Sequence, residues 1–164
     1  MAPMAKKTTK QSAGSPRLTN KKARYQYEIL EKVEAGIALK GTEVKSLRLG
    51  NASLDEAFAR IDNGRITLHN FQIQPYAQGN RFNHDPKRIK PLLLHRREIR
   101  KLAAKVQIKG QTLVPLCVYF NTRGLAKVEL ALGRGKKLYD KRQDQRKRQD
   151  ARDMARATAS RGRF

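Results

Sequence analysis

The sequence is poor in several residue types, and each shortage excludes a class of protein. It has one cysteine among 164 residues, which excludes an internal disulfide framework and fits a reducing compartment. Its longest uncharged apolar stretch, residues 113–120, contains Pro115 and is far below the roughly 18 residues of a membrane span. No apolar segment follows the first basic residues, so no secretory signal is expected. We therefore expect a soluble, cytoplasmic protein without a membrane segment.

Positive charge is what the chain has in excess. It carries 37 Lys and Arg against 14 Asp and Glu, a formal net charge of +23 at pH 7. Neutralising phosphates releases counterions, so this balance predicts a nucleic-acid partner. Acidic and branched apolar residues concentrate in the middle of the chain. We expect a flexible basic N-terminal segment over residues 1–19, a globular body over residues 20–132 and a basic C-terminal tail over residues 133–164.

Alternating apolar positions in the body predict strands. Over residues 25–39 the odd positions are apolar except Glu31, which predicts one long strand with a bulge or bend at Gly36. Apolar runs on both sides of residues 62–64 and 121–124 predict two hairpins. Helical spacing predicts a helix over residues 95–108. A shorter helix is expected to be capped by Thr42 and to end at Gly50. The fold expected is mainly β, a small closed antiparallel barrel with appended helices.

The tail leaves two interpretations open. Residues 140–150 are all polar or charged and have no apolar stripe with which to dock on the barrel. Asp144 and Arg148 nevertheless have a spacing that favours a helix. The segment is either a solvated tail that aids solubility or a segment that folds when it enters a phosphate-lined site.

Residues typical of catalysis are scattered. His69, His84 and His95 lack metal-ligand spacing, and Cys117 lies in an apolar strand where a buried, inert thiol is expected. Residues 133–137 resemble a truncated phosphate loop, but no apolar helix follows them. We expect an RNA-binding adaptor with no enzymatic activity, metal or cofactor, and an enzyme acting on RNA is the alternative.

Residues 35–47, AGIALKGTEVKSL, resemble the signature of the small protein B (SmpB) family of bacteria. Further matching motifs follow the same order: NKKAR at residues 20–24, LLL at 92–94, GKK at 135–137 and DKR at 140–142. The resemblance implies an oligonucleotide-binding (OB) type barrel with a long basic tail. It also implies binding to the tRNA-like domain of transfer-messenger RNA, delivery to stalled ribosomes, and trans-translation, in which the nascent peptide is tagged for proteolysis. The implied partners are transfer-messenger RNA, elongation factor Tu, and the decoding centre and mRNA channel of the 70S ribosome, with the protein acting as a monomer.

The resemblance further implies which residues contact RNA. On the body, those expected at the tRNA-like domain are Asn20, Lys21, Arg24, Glu34, Glu43, Lys45 and Leu93. In the tail, which would become helical inside the empty mRNA channel, those expected at the ribosome are Gly135, Lys136, Lys137, Tyr139, Asp140, Lys141 and Arg142. Tyr139 would stack on a base, and Asp140 would pair with Lys136 or Lys137 or would orient Arg142.

Simpler interpretations stand beside these roles. Without the resemblance, Glu34 is a solvated strand residue, Leu93 packs in the core and Asn20 caps a short helix. The alternative function is that of a general RNA chaperone or ribosome-assembly factor that uses the same barrel.

Overall fold

The fold is built on a ring of antiparallel strands. A computed structural model describes residues 16–161. Its strands are β1 (Leu18–Thr19), β2 (Tyr27–Ile37), β3 (Ala52–Ser53), β4 (Phe58–Asp62), β5 (Arg65–His69), β6 (Gln72–Ile73), β7 (Lys90–Leu93), β8 (Gln111–Phe120) and β9 (Ala126–Gly135). Its helices are α1 (Lys21–Gln26), α2 (Gly41–Arg48), α3 (Arg96–Val106) and α4 (Leu138–Arg161), with a 3-10 turn at Asn80–Phe82.

The ring closes through six strands. Strands β8, β4, β5, β7, β2 and β9 are hydrogen-bonded in that order, and β9 returns to β8. Strand β1 adds to β8, whereas β3 and β6 form a separate two-stranded sheet. The prediction of a mainly β fold with a small closed antiparallel barrel and appended helices is therefore confirmed, and the tail region is helical.

The long predicted strand is shorter than expected and is interrupted elsewhere. It is β2, because Tyr25 belongs to the end of α1. Its register with β9 shifts between Ile29 and Glu31, so the expected bulge at Gly36 is wrong. Gly36 instead lets two strands approach, since a Cβ atom there would lie 3.3 Å from the Cβ of Leu93.

Both hairpins are confirmed. β4 and β5 are joined through Asn63 at φ 50° and Gly64 at φ 72°, the two positive φ angles that a tight hairpin turn requires. β8 and β9 are joined across residues 121–124.

The predicted helices are present, with one cap misassigned. α3 lies within the predicted range and buries Ile99 and Leu102. α2 begins at Gly41, and the Lys40 N–H donates to Glu43 Oε2 at 2.7 Å. Thr42 is therefore not the cap, because its hydroxyl hydrogen-bonds with His84 Nδ1 at 2.9 Å.

The core fills the inside of the ring, with a smaller cluster outside it. The largest fully buried apolar side chains of the main core include those of Phe71, Leu47, Ile66, Leu68, Ile73, Leu102, Leu113 and Leu130. The smaller cluster packs α1 onto the outside of β8 and β9 and contains Ala23, Val114, Leu116 and Ala131. Helix α1 is thus fixed on the barrel wall, beside the start of β2.

The structure also locates the ends of the barrel. Strand β9 continues to Gly135, so residues 133–135 pair with β2 and belong to the barrel and not to the tail. At the other end, Leu18 and Thr19 pair with Val118 and Cys117. The rest of the expected flexible N-terminal segment lies mostly at residues 1–15, outside the described residues.

Candidate nucleic-acid interface

A row of outward-facing residues crosses four strands of the barrel. Leu93 on β7 lies opposite Gly36 on β2, Gly36 lies opposite Lys127 on β9, and Lys127 lies opposite Tyr119 on β8. Successive side chains of a strand point to opposite faces, and the neighbours of these residues that point inward are buried in the core. We call Leu93, Gly36, Lys127 and Tyr119 the cross-strand row.

Glu34 stands directly beside this row. The Tyr119 hydroxyl donates a hydrogen bond to Glu34 Oε2, and Lys127 Nζ lies 3.9 Å from Glu34 Oε1. Burial, together with the adjacent Glu34 carboxylate, raises the pKa of the Tyr119 phenol, so the phenol stays protonated and donates. The Glu34 side chain is 53% exposed, which leaves its carboxylate accessible to base amino groups or ribose hydroxyls.

Leu93 is a surface residue. Its side chain is 62% exposed, whereas Leu92 beside it is buried in the core. The interpretation of Leu93 as a core leucine is therefore wrong, and an apolar surface is available next to Glu34 and Lys127.

We expect Leu93→Ala to change the free energy of unfolding by less than about 0.5 kcal/mol, because little apolar surface of Leu93 is removed from water. The matched variant Leu92→Ala is expected to cost about 2–5 kcal/mol, because it creates a cavity in the core. Urea unfolding of both variants measures the difference. Equal losses would contradict the surface assignment.

Asn20 holds helix α1 in place. Its Oδ1 accepts from the Ala23 N–H at 3.0 Å, and its Nδ2 donates to the Leu54 carbonyl at 2.9 Å. The side chain is buried, and the predicted capping role is confirmed. By fixing α1, Asn20 positions the exposed side chains of Lys21 and Arg24 at the surface.

Glu43 lies inside the protein. Its carboxylate accepts from Arg88 Nε at 2.9 Å and Nη2 at 2.7 Å, and it also accepts from the Lys40 N–H at 2.7 Å. Burial opposes the charged form, but these hydrogen bonds outweigh burial and lower the pKa of Glu43. The side chain is fully buried, so its place is within the fold and not at an RNA-facing surface.

Lys90 completes this buried cluster. Its Nζ lies 4.0 Å from Glu43 and donates to the carbonyls of Phe71 and Arg88, both at 2.8 Å. Burial lowers the pKa of Lys90 to about 8. Local sequence patterns do not reveal Arg88 or Lys90 as partners of Glu43, because even the nearer of the two, Arg88, lies 45 positions away.

Lys45 remains at the surface beyond this cluster. It is exposed, and its Nζ lies 5.5 Å from the centroid of the Tyr76 ring. Glu43 and Lys45, which are neighbours in the signature motif, thus lie on opposite sides of α2.

The tail helix is joined to the barrel by a short connection. The Lys136 N–H donates to the Gln26 carbonyl at 2.9 Å, and its ammonium pairs with Asp144. This ion pair lowers the pKa of Asp144. The expected pairing of Lys136 with Asp140 is replaced by a pairing one turn further along α4. Lys141 lies near α1, with Nζ 6.0 Å from the centroid of the Tyr25 ring.

The rest of the tail site faces solvent. Lys137, Tyr139, Asp140 and Arg142 are exposed, and the Tyr139 hydroxyl accepts from Gln143 Nε2 at 2.9 Å. A Cβ atom at Gly135 would meet no other atom within 4 Å, so the chain here is open to a close approach. Apart from Lys141 and Asp144, residues 138–160 of α4 are exposed. The helix therefore draws little stability from packing, and it can accept contacts from several directions.

The described residues give little support for a reactive thiol or a metal site. Cys117 is buried, and burial raises the pKa of its thiol, which disfavours the reactive thiolate. Within residues 16–161, no three His, Cys, Asp or Glu side chains converge as a metal site would require. In the same part of the chain, no helix combines the length and the apolar character needed to cross a membrane.

Comparison with known proteins identifies the family. The model of the SmpB protein family matches residues 17–160. The chain belongs to the SmpB family. It is 54% identical over 158 residues to the SsrA-binding protein of Desulforamulus reducens, covering 96% of this chain and 98% of that relative. It is 58% identical over 142 residues to the SsrA-binding protein of Moorella thermoacetica, covering 87% and 92% of the two chains.

A solved structure of an SmpB-family chain agrees. That structure is described as "tmRNA-SmpB: a journey to the center of the bacterial ribosome". Its chain is 56% identical with a TM-score of 0.65, covering 76% of this chain and 87% of that one. The resemblance carried by residues 35–47 and the later motifs is thus confirmed.

Proposed function

We propose that this SmpB-family protein is a non-enzymatic RNA-binding adaptor for trans-translation. It binds the tRNA-like domain of transfer-messenger RNA and brings it to stalled ribosomes, and its tail occupies the empty mRNA channel. Rescue of the ribosome and tagging of the nascent peptide for proteolysis follow. The observation that carries this proposal is the convergence of Glu34, Leu93 and Lys127 on one outer face of a closed barrel.

The cross-strand row and its surroundings provide what structured RNA requires. Lys127 neutralises a phosphate, Leu93 offers an apolar surface to a ribose or base, and Glu34 accepts hydrogen bonds from hydroxyl or amino groups. Lys21 and Arg24 on α1 and Lys45 on α2 add phosphate contacts from other exposed parts of the surface. Asn20 and Glu43 act as positioning residues, because they hold the two short helices that carry those cations.

The exposed helix α4 is suited to a second RNA surface. Its basic side chains neutralise ribosomal RNA phosphates along the mRNA channel, and Tyr139 stacks on a base near the decoding centre. Gly135 allows a close approach of the backbone, while Lys136, Lys137, Lys141 and Arg142 supply charge where the tail leaves the barrel.

The finer partner assignments belong to the same proposal. Elongation factor Tu accompanies the protein and its RNA to the ribosome in the cytoplasm, as expected for a complex that imitates a tRNA. The protein acts as a monomer, and ring closure supports this because it pairs the six barrel strands on both sides, so that among the described residues only the two-residue strands β1, β3 and β6 lie at sheet edges. Light scattering of the purified protein and co-purification with elongation factor Tu test these two points.

We expect Glu34→Ala and Arg24→Ala each to weaken binding to a transcript of the tRNA-like domain without unfolding the barrel. Loss of a hydrogen bond to the charged Glu34 is expected to reduce affinity about tenfold or more. Loss of an Arg24 phosphate contact makes the negative slope of log association constant against log salt concentration less steep by somewhat under one. Salt-dependent fluorescence anisotropy measures both effects.

The matched control is Asp62→Ala, which removes an exposed carboxylate at the β4–β5 hairpin, and it should bind as the wild type does. Wild-type affinity in well-folded Glu34→Ala and Arg24→Ala proteins would contradict the proposed face. A hairpin RNA of equal length serves as competitor. Equal affinity for both RNAs would favour a general RNA chaperone or assembly factor over the adaptor.

A further inference from the structure

The cross-strand row continues beyond Tyr119 to Arg17, the residue that immediately precedes strand β1. Leu18 pairs with Val118 and Thr19 pairs with Cys117, so the antiparallel register leads to Arg17 beside Tyr119. The guanidinium carbon of Arg17 lies 5.6 Å from the centroid of the Tyr119 ring, within the range of a cation–π contact. The same ring donates its hydroxyl proton to Glu34. Tyr119 thereby connects Arg17 with the carboxylate at the centre of the proposed RNA face.

Arg17 is held in place by contacts of one guanidinium nitrogen, and its other N–H groups remain available to a ligand. Its Nη2 donates to Cys117 Sγ at 3.2 Å and lies 3.7 Å from Glu129 Oε2. Among the described residues, Nη2 is the only nitrogen of this guanidinium with a hydrogen-bond partner. The side chain is 47% exposed, so its remaining N–H groups can reach a ligand. A planar guanidinium can bind a phosphate through two parallel hydrogen bonds.

The charges around Arg17 leave an excess of cations. Glu129 is shared, because its other oxygen, Oε1, lies 3.3 Å from Lys32 Nζ. One carboxylate therefore serves two cations at this edge of the face. Glu34 is in turn close to Lys127, at 3.9 Å. A ligand that brings additional negative charge to the Arg17 edge is thus favoured, as RNA phosphate does.

We propose that Arg17 is a further RNA-contacting residue, which extends the RNA face from β7 to the residue that precedes β1 by binding a backbone phosphate. The inference rests on the proposed function, since it places the phosphate on the same RNA that contacts Glu34. Tyr119 is the positioning residue: its ring face supports the guanidinium and its hydroxyl orients the Glu34 carboxylate. By pairing with β8, strand β1 thereby holds Arg17 within the recognition surface.

The test uses the full chain and a transcript of the tRNA-like domain of transfer-messenger RNA. Arg17→Gln is expected to weaken binding about three- to tenfold. It should also make the negative slope of log association constant against log salt concentration less steep by about 0.7–0.9, measured from about 50 to about 200 mM salt. Arg17→Lys keeps the charge but not the planar fork, so it should retain the slope and lose part of the affinity. The matched control is Arg60→Gln on β4, which pairs with β8 at Leu113, at the other end of β8 from Tyr119. Arg60 is also exposed and paired with a carboxylate, Asp62. Arg60→Gln should leave affinity and slope unchanged.

The outcomes separate the inference from the proposed function. Wild-type affinity and slope in Arg17→Gln would overturn the inference alone, and so would equal losses in Arg17→Gln and Arg60→Gln. A weaker Arg17→Gln with an unchanged slope would point to a loosened β1 strand and would also overturn the phosphate contact. Failure of the wild-type protein to bind this RNA would overturn the proposed function together with the inference.

Discussion

Glu43→Gln is expected to lower the free energy of unfolding by about 3 kcal/mol at pH 7. Removing one partner from a buried ion pair typically costs about 3–5 kcal/mol, because the remaining charge stays buried without compensation. The lower end applies here because Arg88, with a side chain 25% exposed, can turn toward water. Lys90 is fully buried and cannot, so its pKa should fall further below about 8 when the carboxylate is lost. Urea unfolding with an unchanged m-value measures the cost.

Two controls sharpen this expectation. Asp62→Asn removes an exposed, ion-paired carboxylate and should change stability by less than about 0.5 kcal/mol. The double variant Glu43→Gln with Lys90→Met should recover part of the loss, because the buried cation is removed with its partner. A cost below about 1 kcal/mol for Glu43→Gln would contradict the structural role of this cluster.

The difference in free energy of unfolding between the wild type and Glu43→Gln should also depend on pH. The pKa of Glu43 is lower in the folded state than its ordinary value of 4.5, so the unfolded chain takes up its proton first on acidification. The contribution of Glu43 is therefore fully present above that value, and it is lost as the pH falls through the folded-state pKa. The gap between wild type and Glu43→Gln should narrow in this acidic range. A gap that is constant down to complete protonation would exclude the carboxylate charge as its origin.

Most of the barrel could be predicted from local sequence patterns. The turn at Asn63 and Gly64 is specified by neighbouring residues that tolerate positive φ, and α3 by apolar residues at helical spacing. Both signals act over short distances, so the sequence alone suffices for them. The end of β9 could not be predicted from the sequence pattern, because residues 133–135 are glycine, arginine and glycine, which show no apolar alternation.

The candidate site depended on long-range pairing. Glu34 and Leu93 were identified through the family resemblance, but Lys127, Tyr119 and Arg17 join them only through the register of five strands. Sequence spacing does not contain that register, since a shift of one residue would turn each side chain to the other face. The burial of Glu43 was equally hidden, because its partner Arg88 lies 45 residues away.

Removal of every residue after Gly135 is expected to abolish tagging on stalled ribosomes while RNA binding is largely retained. The deletion keeps all of β9, whereas a cut after Leu132 would remove three residues that pair with β2. It takes away eleven basic and four acidic side chains, so the nonspecific part of RNA affinity should fall. The cross-strand row remains complete. A reconstituted peptidyl-transfer assay with stalled ribosomes, run beside a gel-shift assay on the tRNA-like RNA, measures the two effects.

Within the tail, Tyr139→Ala should cause a partial defect and the truncation a near-complete one. Base–aromatic stacking contributes about 1–3 kcal/mol, which corresponds to roughly ten- to a hundredfold in occupancy of the productive tail position. Tyr139→Phe keeps the ring and loses only the hydrogen bond with Gln143, so it should tag almost normally. Equal defects in the Phe and Ala variants would contradict stacking. If the truncation reduced RNA binding and peptidyl transfer in equal measure, α4 would belong to the RNA-binding module, and the division between barrel and tail would be wrong.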